Sequence, residues 1–158
     1  MTKKKMLQPT KKKKRQPPRS RQSKYPDTDT FHFHNANPKG KYTTDCVERA
    51  ICTALDLPYE QVVRDLAELQ IALGVSATDA GCYDKYLARH GYVQCRQPKH
   101  EDRTKYTGNQ FCTLIAEPDK TYVANLGSHH VVAIVNAKVY DTWNSTYGVI
   151  GNYWCRKD

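Results

Sequence analysis

The sequence predicts an α+β domain in which an N-terminal helical layer packs on a C-terminal antiparallel β-sheet. Two patterns carry this. Apolar residues recur at helical spacing from Val47 to Leu87, and β-type runs fill the chain from Tyr92 onward. The charge distribution sets the boundary. Residues 1–24 contain eleven Lys/Arg and no acid, whereas residues 25–158 contain fourteen basic and sixteen acidic side chains and so carry −2. The overall charge of +9 is therefore a property of the tail.

Residues 1–24 are basic, Pro-containing and nearly devoid of hydrophobes, so they cannot offset their ordering entropy and are expected to be disordered. Such a tail has three readings: a solubilising arm, a contact for nucleic acid or another polyanion, or a targeting signal. It has no base-reading fold, so nucleic acid is a possible partner of the tail and not the substrate. Residues 25–41 read as an extended arm or linker in which Phe31-His32-Phe33-His34 is either one short strand or an ordered segment. Residues 42–158 form the compact domain.

The domain opens with Thr44 or Asp45 as the cap of a helix whose apolar positions Val47, Ile51, Ala54 and Leu55 share one face, with Cys46 in its first turn. Pro58 starts a second helix, in which Tyr59, Val62, Val63, Leu66 and Leu69 follow at helical spacing and Gly74 marks the stop. A third runs from about Asp79 to His90 with Tyr83, Tyr86 and Leu87 inward and Gly91 beyond it. Tyr92–Arg96 is a strand and Asn109–Ile115 a helical turn. Thr121–Leu126, His130–Val135 and Val139–Trp143 are further strands, and Tyr153-Trp154-Cys155 is expected to add a last edge strand.

The two runs around Asn136-Ala137 form a hairpin whose register follows from a two-residue turn. Val135 then faces Lys138, Ile134 faces Val139, and His130 and Asp141 become diagonal neighbours on one face, roughly 7–8 Å apart at the backbone. His129 points to the other face. Ala137 is a poor residue for a turn position that needs positive φ, so strand pairing must hold the turn.

An imidazole beside a carboxylate, together with Cys46 at a helix N-terminus that favours its thiolate, makes a candidate for nucleophilic acyl transfer. Cys46 is the nucleophile, His130 the base and then acid, and Asp141 orients His130. Read alone, Cys46 is a small buried hydrophobe and His130 a satisfied core histidine; the combination favours the sharper reading. Trp143 is a core residue that also shields the His–Asp bond. Glu48 and Arg49 lie on the first helix and are either simply solvated or, for Arg49, paired with a carboxylate in the fold; neither receives a catalytic role.

Six cysteines without a CxxC pair suggest free thiols in a reducing compartment, and there is neither a membrane-spanning run nor an apolar h-region behind the basic start. The expectation is a cytoplasmic protein without membrane contact. His32, His34, His129 and His130 match no zinc module in their spacing, so neither metal nor cofactor is expected.

The motifs Asp45-Cys46-Val47-Glu48-Arg49-Ala50-Ile51, His130-Val131-Val132-Ala133-Ile134-Val135 and Asp141-Thr142-Trp143 resemble, in order, those of papain-like cysteine peptidases. That superfamily places its Cys at the start of a helix, its His at the head of a strand and an Asn or Asp on the next strand, often followed two residues later by Trp. More specifically, the chain resembles small papain-like proteins of bacteria and phages with a Cys-x-x-Arg-Ala-Ile opening and a Tyr-Asp-Thr-Trp-Asn-Ser segment. The likeness covers residues 42–155. It implies a papain-like fold, a peptide or other amide substrate and, for a phage protein, the host cytoplasm.

One departure concerns the oxyanion hole. The Gln that papain-like peptidases carry several residues before the nucleophile is absent between Tyr25 and Cys46, leaving Asn37, Thr43 or Thr44 as substitutes beside the backbone N–H of Cys46. An acidic third member such as Asp141 also occurs in transglutaminases and arylamine acetyltransferases. The alternative to a thiol hydrolase is a catalytically silent papain-like binding or assembly module.

Overall fold

The computed structural model describes residues 20–157. Most of the basic tail, residues 1–19, lies outside them, and with it most of the expected disorder. Residues 20–24 depart from that expectation. Arg21–Lys24 form one helical turn, α1, because the Ser20 hydroxyl caps it by accepting from the Ser23 N–H.

Three helices follow where the apolar spacing predicts them: α2 (Cys46–Leu55), α3 (Tyr59–Leu73) and α4 (Ala80–Arg89). Pro58 stands at the N-cap of α3, where a missing N–H costs nothing, and Gly74 ends the helix at φ +67°, a conformation that suits a residue without Cβ. Asp79 caps α4 by accepting from the Gly81 N–H. A shorter helix, α5 (Gly108–Leu114), begins with a reciprocal capping box between Thr107 and Gln110.

Six strands make one mixed sheet: β1 (Phe31–Phe33), β2 (Tyr92–Cys95), β3 (Thr121–Leu126), β4 (Val131–Val135), β5 (Lys138–Asp141) and β6 (Ile150–Arg156), in the order β1-β5-β4-β3-β6-β2. The wholly antiparallel expectation needs one correction. The arm segment Phe31–Phe33 adds to the edge as a strand parallel to β5, anchored by Phe31, which is fully buried, and by Asp27, which accepts from the Phe33 N–H at 2.7 Å. A second correction concerns β6. It is interior, because β2 pairs along its outer side from Tyr92↔Arg156 to Cys95↔Tyr153.

The hairpin has the expected register, with Val135 opposite Lys138 and Ile134 opposite Val139. Asn136 and Ala137 adopt φ of 49° and 55°, so the turn places an alanine in the left-handed region.

Both faces of the sheet are covered, which a simple two-layer picture does not include. The helices α2, α3 and α4 bury Ile51, Leu66 and Leu87 against Val123, Val131, Ala133 and Trp154. On the opposite face α5 buries Phe111 and Cys112 against Tyr122, Val132, Ile134 and Val139. No helix among the described residues is long and apolar enough to cross a membrane.

Candidate functional site

Strand parity alone puts His130 and Asp141 together but on an awkward side. Val132 and Val139, which share their parity, pack toward α5, while α2 covers the other face. His130 and Asp141 nevertheless reach α2 because both stand at strand ends: His130 precedes β4, and Asp141 is the last residue of β5. At the end of the sheet a side chain is no longer confined to one face.

His130 Nε2 lies 2.6 Å from Asp141 Oδ2. That leaves Nδ1 for Cys46, whose thiol is hydrogen-bonded to His130 and to the backbone N–H of Val131. Burial pushes the half-buried Cys46 thiol up, but these bonds and the charges of His130 and Arg49 outweigh it, so its pKa lies below the ordinary value. The other buried thiols behave differently. Burial raises Cys82 and pushes Cys52 to about 11 and Cys112 to about 12.

Burial would lower His130, yet its bonds to Asp141 and Cys46 dominate and lift it to about 9. Asp141 is 1% exposed; burial alone would raise it, but the His130, Ser145 and Thr142 hydrogen bonds hold it below the usual carboxylate range. It accepts from Ser145 Oγ at 2.6 Å and from its neighbour's N–H, that of Thr142, at 2.7 Å. Thr142 and Ser145 are themselves buried, so water does not compete for these bonds.

Arg49 enters this network by pairing with carboxylates, the second of the two readings its sequence position allows. Its Nε donates to Asp45 at 2.9 Å and its Nη1 to Asp141 at 3.3 Å. Asp45 occupies the N-cap position of α2 but makes no side-chain cap bond, because its carboxylate is committed to Arg49, Tyr59 and Asn37. The first-turn N–H groups of α2 are thereby left without a carboxylate cap beside Cys46, which would repel a developing oxyanion.

The candidate oxyanion residues divide. Asn37 Nδ2 is spent on Asp45 at 3.0 Å and on Tyr59, and the residue lies outside the cleft that holds Cys46. Thr43 and Thr44 line that cleft, which has a volume of about 990 Å³. Asn125 is a lining residue that the sequence did not single out. Its Oδ1 accepts from Tyr83 Oη at 2.9 Å, which orients the Nδ2 donor; a Cβ on neighbouring Gly151 would stand 3.1 Å from the Asn125 Cβ. Trp143 corrects the expectation of a core residue: it belongs to neither buried cluster and is 38% exposed, because it follows the end of β5, and its ring centroid lies 5.3 Å from that of His130, where it flanks the imidazole. Among the described residues no group of three or more His, Cys, Asp or Glu is arranged to hold a metal ion.

No family model, no curated protein and no solved structure matches the chain. The functional reading therefore rests on the arrangement of the side chains.

Proposed function

We propose that the protein is a papain-like thiol hydrolase, a cysteine peptidase or amidase, in which Cys46, His130 and Asp141 act as a triad. The observation that carries this is the placement of one imidazole between a lowered-pKa thiol and a buried carboxylate at the edge of a large cleft. In this reading the Cys46 proton resides on His130 Nδ1, and the Nε2–H donates to Asp141, which fixes the ring and stabilises the imidazolium.

The thiolate attacks the carbonyl carbon, forming a C–S bond while the carbonyl π electrons move to oxygen. The uncapped N–H groups at the start of α2 face this charge, with Thr43, Thr44 and Asn125 as neighbouring polar groups. His130 passes its proton to the leaving nitrogen as the C–N bond breaks. Water then attacks the thioester, His130 takes its proton, and the acid and the thiolate–imidazolium pair are released.

The test is the pH dependence of Cys46 alkylation by iodoacetamide, mapped by mass spectrometry, in the parent and in His130→Ala. The expected result is reaction well below the free-thiol pKa of about 8.5, with that advantage lost in the variant. An ordinary thiol profile in both proteins would instead favour a silent binding or assembly module.

A further inference from the structure

Two arginines line the cleft, and they differ in what neutralises them. Arg49 is matched by Asp45 and Asp141. Arg21, from a segment the sequence assigned to the tail, has no carboxylate partner among the described residues. Two contacts hold it: Nε donates to the Thr142 carbonyl at 2.9 Å, and the guanidinium carbon sits 4.4 Å from the centroid of the Tyr42 ring.

Neither contact uses the two terminal nitrogens, which have no hydrogen-bond partner among the described residues and so are open on that side. A guanidinium fixed by stacking and by one Nε bond presents these nitrogens as the planar fork that suits a carboxylate. Thr142 adjoins Asp141, so the fork stands on the same wall as the triad. No Asp or Glu is among the described residues that line the cleft; Thr43, Thr44, Asn125 and Ser128 are neutral, Arg49 is matched by Asp45 and Asp141, and the His130 imidazolium is paired with Asp141 and with the Cys46 thiolate. An immobilised cation without a counter-charge in such a cleft concentrates anions there.

We propose that Arg21 is a specificity residue that binds a carboxylate of the substrate, so that the protein acts on acidic peptides or on amides that bear a carboxylate near the scissile bond. This substrate class rests on the reading of Cys46 as the nucleophile.

The probes are chloroacetyl peptide amides carrying Glu or Gln one, two or three residues from the reactive carbon, with a chloroacetyl-triglycine pair as free acid and amide. The rate of Cys46 alkylation is measured by mass spectrometry at low salt. In at least one position the parent should prefer Glu over Gln by about fivefold, the size expected of one partly exposed charge pair. Arg21→Gln, which keeps an N–H able to reach the Thr142 carbonyl, should abolish the preference, and Arg21→Glu should transfer it to the matching Lys probe. A gain confined to the triglycine acid would identify a chain-terminal carboxylate as the group bound; a gain with Glu would identify a side chain.

Equal rates for acidic and neutral probes throughout would overturn the proposal. So would a preference that survives in Arg21→Gln, since the imidazolium of His130 would then be its source. The ratio compares one thiol with itself, so it reports on Arg21 even if the neutral probes show that Cys46 titrates as an ordinary thiol. That second outcome would remove the hydrolase reading separately.

Discussion

Arg49 and Asp141, separated by 92 positions in the chain, meet at 3.3 Å through Oδ1 of the carboxylate whose Oδ2 binds His130. The contact joins the first turns of α2 to the end of β5, so the element that carries the thiol and the strand that carries the carboxylate are locked to each other. Arg49 is a positioning residue in this arrangement and does not touch the thiol.

Replacing Arg49 by Met should leave Asp45 buried without its cation and Asp141 with His130 as its one cationic partner among the described residues. Urea denaturation is expected to show a loss on the order of 3 kcal/mol, the range for breaking a buried pair from one side. Because the charge of Arg49 also lowers the Cys46 pKa, the alkylation profile should move to higher pH as well. Arg49→Lys, with one charge but no fork, should recover part of the stability. An unchanged alkylation profile in Arg49→Met would reduce Arg49 to a structural tie.

Asp141→Asn removes the charge that holds the imidazolium. The His130 pKa, about 9 in the parent, should fall toward the ordinary value of 6.5, as read by NMR titration of the ring protons. A value that stays near 9 would mean that Cys46 alone sustains it.

Stability should depend on pH through the same group. The folded pKa of His130 is raised, so its contribution is fully present below about 6.5 and is lost as the pH rises through about 9. Denaturation midpoints of the parent and His130→Ala, compared from pH 6 to 10, should therefore converge toward the alkaline end. Cys46 has the opposite sign: its lowered pKa contributes above the ordinary thiol value and fades as the pH falls through the folded one. Cys46→Ala should correspondingly separate the two effects.

Trp143 is 38% exposed and sits on the imidazole, so its removal exposes the site more than it empties the core. Trp143→Ala is expected to cost about 1 kcal/mol or less in stability. The apparent pKa of His130 should rise, because exposure relieves the desolvation that depresses it, the largest single influence on this group. A His130 titration identical to the parent's would count against the shielding role.

Ala137 supplies an independent check on the hairpin. At φ 55° its Cβ is strained, whereas glycine adopts this conformation freely. Ala137→Gly should stabilise the fold by about 0.5–1 kcal/mol, the gain being limited by the extra freedom of glycine in the unfolded chain. The turn lies at the far end of the hairpin from His130, so Cys46 reactivity should stay the same. Destabilisation would show that the alanine methyl makes a contact worth more than the strain.

The sequence by itself determined what short-range physics specifies. Helical spacing located α2, α3 and α4, Gly74 marked a stop, and turn chemistry with strand parity set the hairpin register that brings His130 beside Asp141. These signals depend on residues a few positions apart, so one chain carries them. What the tertiary structure decided depends on partners distant in sequence. The parallel addition of β1, the interior place of β6, the diversion of Asn37 and Asp45 into the Arg49 cluster and the seating of Arg21 on Tyr42 have no local periodicity. Arg49 is the clearest case. On a helix it looks like any solvated cation, and only the approach of β5 makes it the buried link between two carboxylates, because burying one charge becomes favourable only when the fold delivers its counter-charges.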